Sequence, residues 1–219
     1  MICTRTSCKR ISIGLASGCR EISTLECTKV SLTLLSNNNQ PFLLTTLTPA
    51  AGFARTQQTY EQNLPSVFAA LNALEKLASS RGGPYLLGAR MTELDVRAYA
   101  TLIRFDTVYV QHFKCNLGIL RYNYPVLNNW MKGLYWGDTG DAAGGKGGKL
   151  GGESVWGNTT DFRHIKENYT KSHGDINPLA ITPVGPWPSV EEGYERDWSR
   201  LRVGEIDMPE VLERERQLK

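Results

Sequence analysis

The sequence predicts an all-α fold for residues 51–188, and three stretches support that prediction. Residues 91–106 carry a helix-capping pattern followed by a nearly continuous apolar run. Between Tyr60 and Ala78, apolar residues recur at the spacing of one helix face. At Pro125, a proline suited to a first helical turn precedes another apolar stripe. Together these stretches predict a bundle of helices.

The run at residues 91–106 is expected to be the buried central helix. Thr92 is followed three residues later by Asp95, a capping-box pattern in which each side chain accepts a hydrogen bond from the other residue's backbone N–H. Met91 and Val96 occupy the two positions of a hydrophobic staple. Because little polar surface follows the cap, burial nearly all round is predicted. Loss of the Asp95 cap is expected to cost about 1 to 2 kcal/mol.

The preceding helix is predicted from a long apolar stripe. Pro65 lies inside that stripe and is expected to kink the helix or to separate two shorter helices, because proline lacks an N–H and crowds the preceding turn. Gly82-Gly83-Pro84 is expected to end the segment. The stripe consists of Tyr60, Leu64, Val67, Phe68, Leu71, Leu74 and Ala78.

Further along the chain, residues 106–116 are predicted to continue as helix, or as a bend followed by helix. A helix is predicted over residues 159–173, where Phe162, Ile165 and Tyr169 are spaced i, i+3, i+7. Four prolines in residues 176–188 forbid helix there and favour an extended segment across the helices. The helix opened by Pro125 should bury Val126, Leu127, Trp130, Met131 and Leu134.

Three segments lack a clear pattern. Residues 1–50 are an unassigned leader, expected to be disordered or transit-like, with four of the chain's five cysteines at spacings that match neither a redox nor a zinc motif. Residues 137–157 hold nine glycines without the spacing of a phosphate-binding loop, and a flexible insertion is expected. Residues 189–219 are densely charged and expected to be a solvated tail.

Composition excludes several classes of function. With 25 Lys and Arg against 22 Asp and Glu, the net charge of +3 gives no reason to expect nucleic acid as a partner. No stretch predicts a membrane span. The three histidines include no i, i+4 pair, so no metal site is expected. The expected location is the cytoplasm, or a plastid or mitochondrion if the leader is a transit peptide.

Tyrosine and cysteine are the residue types that could carry chemistry. Tyr109 and Tyr169 each end an apolar run, which suits a phenol whose ring packs while its hydroxyl reaches a cleft; the alternative for each is a core tyrosine. Cys115 is interpreted as a structural cysteine, with a reactive thiol as the alternative.

Several long strings resemble the helical half of a glutathione transferase of the omega-like, or xi, class, the glutathionyl-hydroquinone reductases. They are TELDVR at 92–97, TLIRFDTVYVQHFKCN at 101–116, FRHIKENY at 162–169, SH at 172–173, INP at 176–178 and TPVGP at 182–186. The resemblance implies an all-α, glutathione transferase C-terminal-like bundle that normally follows a thioredoxin-like domain. It also implies glutathione as co-substrate and glutathionyl-quinols or other small aromatic substrates.

By the same resemblance, Tyr169 matches a tyrosine opposite the family's reactive cysteine and is the candidate catalytic residue. Tyr109, Phe105 and Phe113 are the candidate substrate-binding residues. The family's Cys-Pro motif is absent upstream, and Pro49-Ala50 stands where a second family tyrosine is expected. The thioredoxin-like domain is therefore expected to be missing, with glutathione-dependent reduction of glutathionyl-quinols impaired in this chain. The alternative function is a non-catalytic helical binding module or homodimerisation module.

Overall fold

The fold is a bundle of helices in the computed structural model, which describes residues 50–137, 154–190 and 194–217. In those ranges the one β-feature is an isolated antiparallel bridge between Tyr85 and Gly88, so the predicted all-α class is confirmed. The helices are α1 (Gln57–Arg81), α2 (Glu93–Leu102), a π-helix (Phe105–Tyr109), α3 (Leu120–Asn123), α4 (Pro125–Trp136), α5 (Val155–Asn158), α6 (Phe162–Ser172), a 3-10 turn (Trp198–Arg200) and α7 (Met208–Gln217). No helix in these ranges combines the length and apolarity needed to cross a bilayer.

Helix α1 is continuous through Pro65, so the predicted break between two shorter helices is wrong. The Thr56 side chain caps its N-terminus by accepting a hydrogen bond from the Thr59 N–H at 3.1 Å. Gly82 ends it with a left-handed φ of 71°, a conformation that glycine adopts without steric cost. Burial of the apolar stripe on both sides of Pro65 offsets the one backbone hydrogen bond that proline removes.

The predicted capping box at α2 is confirmed, and Asp95 does more than cap. The Thr92 N–H and hydroxyl both donate to Asp95 Oδ2 at 2.8 Å. Asp95 Oδ1 accepts from the Leu86 N–H at 2.9 Å and from the Trp130 indole N–H at 3.0 Å. This fully buried carboxylate therefore ties the start of α2 to α4 and to the connection that follows α1.

The expectation that residues 91–106 are buried nearly all round is wrong. Met91 and Val96, the two predicted staple residues, are 40% and 47% exposed. Helix α2 also presents one face to solvent, through Val96, Arg97 and Ala100, and it ends at Leu102. The chain then continues as the π-helix, whose residues are all buried. Full burial is thus found in this π-helix, which begins at the end of the predicted central helix and extends beyond it.

Two further buried carboxylates also bind the N-termini of helices. Glu75 accepts hydrogen bonds from the Val126 and Leu127 N–H groups at 2.9 and 2.8 Å, at the start of α4. Asp106 accepts from the Leu120 N–H at 2.7 Å, at the start of α3. Burial raises the pKa of both carboxyls, and these hydrogen bonds oppose that rise. Each carboxylate satisfies backbone donors that the helix itself leaves unpaired.

The charged C-terminal segment is not the solvated tail that the sequence suggested. Ile206 is only 6% exposed and belongs to the hydrophobic core. Its N–H donates to Asn72 Oδ1 at 3.1 Å, and the Asn72 amide donates back to the Ile206 carbonyl at 2.9 Å. Gly204 donates to Glu75 at 3.0 Å and lies so close to the Asn123 carbonyl that a Cβ there would clash. The buried Ile206 side chain and the hydrogen bonds of Ile206 and Gly204 to side chains of α1 therefore hold this segment against that helix.

Most of the predicted glycine-rich insertion, residues 138–153, lies outside the described residues, as does the leader at 1–49. Helix begins earlier than predicted within the described residues, because Ser154 caps α5 and its hydroxyl donates to the Leu134 carbonyl at 2.9 Å. The helix predicted over 159–173 is confirmed as α6.

The proline-rich segment over residues 180–190 has no regular secondary structure, which confirms the prediction from its prolines. The buried Lys166 ammonium donates to the carbonyls of Val184 and Pro186 at 3.1 and 3.4 Å. The same ammonium lies 4.9 Å from the Trp187 ring centroid. Lys166 therefore holds the extended segment against α6.

Candidate aromatic cleft

An open cleft of about 410 Å³ lies along α6. Its opposite side is formed by Arg104, which lies two residues after the end of α2. Five side chains of its lining come from successive turns of α6, because residues three and four apart share one helix face. Asp161 fixes the start of that helix by accepting a hydrogen bond from the His164 N–H at 2.9 Å. The lining residues are Arg104, His164, Ile165, Asn168, Tyr169, Ser172 and His173.

Tyr169 joins the cleft to a cluster of aromatic rings behind it. Its ring centroid lies 6.1 Å from that of Tyr109 and 5.9 Å from that of Phe113, both in edge-to-face arrangements. Tyr109 and Phe113 are themselves 5.3 Å apart. Such contacts favour one orientation of each ring. The half-buried Tyr169 phenol is thus fixed on its buried side while it lines the cleft.

The other three sequence-predicted site residues lie behind the cleft lining. Tyr109 is 4% exposed; burial raises the pKa of its phenol, and the adjacent Tyr169 raises it further. Phe113 is buried against Tyr109, and Phe105 packs in the core between Phe68 and Tyr109. The structure therefore brings Tyr109 and Phe113 directly against Tyr169 and places Phe105 one layer deeper.

A histidine pair borders the same cluster. His112 Nε2 lies 2.8 Å from His173 Nδ1, with the two rings stacked at an interplanar angle of 26°. Burial, together with the neighbouring His173 and Lys114, lowers the pKa of His112 to about 4. A neutral His112 is consistent with a hydrogen bond in which one imidazole donates and the other accepts. Among the described residues, no group of three or more metal-ligating side chains accompanies this pair.

Comparison with known proteins identifies the bundle. Residues 57–133 match the family model described as glutathione S-transferase, C-terminal domain. A glutathione S-transferase omega-like 2 of Schizosaccharomyces pombe is 50% identical over 140 residues, which are 64% of this chain and 40% of that protein. The crystal structure of the glutathione-S-transferase Xi from Phanerochaete chrysosporium superposes with a TM-score of 0.57 at 40% identity, covering 67% of this chain and 44% of that one.

The bundle is a glutathione S-transferase C-terminal domain. The predicted resemblance to the omega-like or xi class is confirmed. A glutathionyl-hydroquinone reductase, YqjG of Escherichia coli, is 35% identical over 147 residues, 67% of this chain and 39% of that protein. The chain spans about two fifths of the length of these curated relatives.

In this glutathione S-transferase C-terminal domain, Cys115 is a structural residue. Its side chain is fully buried, and burial raises the pKa of the thiol to about 12, so the thiolate is scarce at neutral pH. The Cys115 thiol donates to the Phe113 carbonyl at 3.7 Å. The alternative interpretation as a reactive thiol is therefore wrong for the folded domain.

Sequence reasoning missed Arg104 and His173 as lining residues of the cleft, and it missed the contact between His173 and His112. No local pattern marks Arg104 as a cleft residue, and His112 and His173 are 61 residues apart. Helical spacing rules compare residues within one helix and cannot detect such a pair. The one available signal was that His112 and His173 both fall within the strings that resemble the family.

Proposed function

We propose that this domain supplies the aromatic-substrate site of a glutathionyl-hydroquinone reductase, which reduces glutathionyl-quinols with glutathione. The observation that carries the proposal is the Tyr169 phenol, which lines an open cleft while Tyr109 and Phe113 pack against its ring. The cleft volume, about 410 Å³, lies within the range of small-molecule sites.

The reaction assigns separate tasks to the thiolate and to this domain. A cysteine thiolate attacks the glutathionyl sulfur, the bond between that sulfur and the aromatic carbon breaks, and the carbon takes a proton to give the hydroquinone. A second glutathione then reduces the mixed disulfide and leaves as glutathione disulfide. Tyr169 would hold the quinol by a hydrogen bond and deliver the proton to the leaving carbon.

The attacking thiolate must come from outside the described residues. Cys115 is the cysteine within the described ranges, and its buried, protonated thiol cannot attack a substrate in the cleft. We therefore expect the domain by itself to bind the quinol but to turn it over slowly. Glutathione as co-substrate is supported by a glutathione-bound structure of E. coli YqjG, 29% identical with a TM-score of 0.62 over 84% of this chain and 52% of that one.

The test is a calorimetric titration of the purified chain with a glutathionyl-hydroquinone. Replacement of Tyr169 by Phe keeps the ring and removes one hydrogen bond, so affinity should fall about three- to tenfold. Tyr122→Phe is the matched control, because Tyr122 is 76% exposed and outside the cleft lining. Equal affinity of wild type and Tyr169→Phe, or no binding by wild type, would contradict the proposal.

A second candidate function is a non-catalytic dimerisation module, favoured by an exposed apolar stretch. Leu179, Ile181, Val184 and Trp187 are each 48% to 85% exposed along the extended segment. Exposed apolar surface of this kind often contacts another protein. Light scattering after size-exclusion chromatography tests this candidate, and a monomer at all concentrations would remove it.

A further inference from the structure

The polar part of the cleft lining has a positive bias. Arg104 contributes a guanidinium, His164 and His173 contribute imidazoles, and Asn168 and Ser172 contribute an amide and a hydroxyl. No Asp or Glu is part of this lining. The nearest acid along α6, Glu167, is paired with Arg163 at 3.0 Å and with Lys171 at 2.8 Å. The charge that a ligand would meet in the cleft is therefore that of Arg104.

The Arg104 charge has no carboxylate partner within the described part of the chain. The guanidinium is half-buried, and it donates a hydrogen bond to the Ala100 carbonyl one turn earlier. Burial raises the pKa of Tyr99 and Tyr109, and the positive charge of Arg104 opposes that rise at both phenols. Arg104 thus acts electrostatically on the buried aromatic cluster as well as on the cleft. A half-buried guanidinium that retains free donors is suited to bind an anion.

The rest of the lining restricts the shape of that anion. Ile165 and Tyr169 give the cleft an apolar side and an aromatic ring, against which a flat ring can pack. Arginine binds a carboxylate through two parallel N–H donors, and such charge-assisted bonds are stronger than those between neutral groups. A ligand with an aromatic ring and a carboxylate would use both sides of the cleft at once.

We propose that Arg104 is a specificity-determining residue of the cleft, which selects aromatic substrates that carry a carboxylate on the ring. The proposal rests on the proposed function, in which a quinol occupies this cleft, and it names the substrate class. A carboxylate could also come from glutathione, which has two of its own. The proposal assigns the Arg104 contact to the carboxylate of the quinol.

The test compares 2,5-dihydroxybenzoate with its methyl ester, which has the same ring and no charge on the acid group. In calorimetric titrations of the full chain, the acid should bind at least tenfold more tightly than the ester. Arg104→Gln should reduce that preference to within twofold, because it should weaken binding of the acid far more than binding of the ester. Arg104→Lys, which keeps the charge but loses the planar fork, should retain part of the preference.

Arg163→Gln is the matched control, since Arg163 lies on α6 with a side chain 85% exposed and outside the cleft lining. This variant should keep the full preference for the acid. A third titration, with glutathione alone, determines the source of the anion. If glutathione competes with the acid and depends equally on Arg104, the assignment to the quinol is overturned.

Failure of this inference can be told apart from failure of the proposed function. If acid and ester bind wild type equally and both require Tyr169, the aromatic site stands and the role of Arg104 is overturned. If the acid is preferred through Arg104 but a glutathionyl-hydroquinone does not bind, the proposed function fails while the anion site stands. If neither compound binds, the inference is overturned.

Discussion

The Trp130 indole N–H donates a 3.0 Å hydrogen bond to Asp95 Oδ1, and both side chains are buried. This bond joins the middle of α4 to the first turn of α2, across 35 residues of sequence. The same carboxylate accepts hydrogen bonds from Leu86 and Thr92. Asp95 is therefore a junction between three parts of the bundle as well as a helix cap.

Replacement of Asp95 by Ala should lower the free energy of unfolding by about 3 to 5 kcal/mol, more than the loss of a cap alone. The larger effect is expected because the substitution leaves the Trp130 and Leu86 donors buried without an acceptor. Urea unfolding measures it. Glu93→Ala is the control on the same helix turn, because the Glu93 side chain is 75% exposed. A loss of only about 1 to 2 kcal/mol for Asp95→Ala, the usual cost of losing a cap, would contradict the role of Asp95 as a junction.

The stability of the domain should depend on the titration of His112. Burial lowers the pKa of His112 in the folded state to about 4, while in the unfolded chain the imidazole takes up a proton near its ordinary value of 6.5. The stabilisation is thus present above that ordinary value and is lost as pH falls from there toward the folded-state pKa. Because the imidazole is only half-buried, solvent screening limits the effect to about 1 kcal/mol.

The measurement is urea unfolding of wild type and His112→Asn at about pH 7 and about pH 4. The wild type should lose about 1 kcal/mol more than the variant over that interval. His164→Asn, which changes an exposed histidine, should follow the wild type. Identical pH dependence of wild type and His112→Asn would show that His112 is not shifted.

Truncation of Ile206 should destabilise the domain although it lies in the charged C-terminal segment. Ile206→Ala removes a buried side chain from the core and should cost about 2 to 4 kcal/mol. Val203→Ala is the matched control, because Val203 is 47% exposed, and it should cost less than about 0.5 kcal/mol. Equal costs for the two variants would mean that the segment does not pack as described.

Cys115 should react with thiol reagents only after unfolding. A variant with Ser at Cys3, Cys8, Cys19 and Cys27 leaves Cys115 as the one thiol of the chain. Burial and a pKa raised to about 12 should keep its labelling rate at that of global opening, and denaturant should make labelling fast. Rapid labelling of the native variant would restore the reactive-thiol interpretation.

The sequence was sufficient to predict features that depend on neighbouring residues in one helix. The apolar stripe of α4, the capping pattern at Thr92 and Asp95, and the proline-rich segment all follow from local spacing and backbone chemistry. Exposure of Val96 was not predictable in this way. An apolar run alone does not show which side of a helix will lack neighbours.

Features that depend on distant partners could not be predicted from local patterns. The bonds of Asp95 to Trp130 and of Asn72 to Ile206 join residues 35 and 134 positions apart. The cleft itself combines Arg104, after α2, with the exposed face of α6, and only the packing of those helices places them together. Tyr169 was accessible as a candidate because helical spacing marked its apolar face and the resemblance supplied its proposed role.

The most direct test of the account is to locate the bound quinol on the chain by hydrogen–deuterium exchange. With a saturating glutathionyl-hydroquinone, exchange should slow in α6 around Tyr169 and in the adjacent residues 104–113, because a ligand in the cleft stabilises the elements that line it. Exchange in the exposed segment around Leu179 should remain unchanged. Binding that leaves exchange in α6 unaltered would contradict the assignment of the Tyr169 cleft as the aromatic-substrate site.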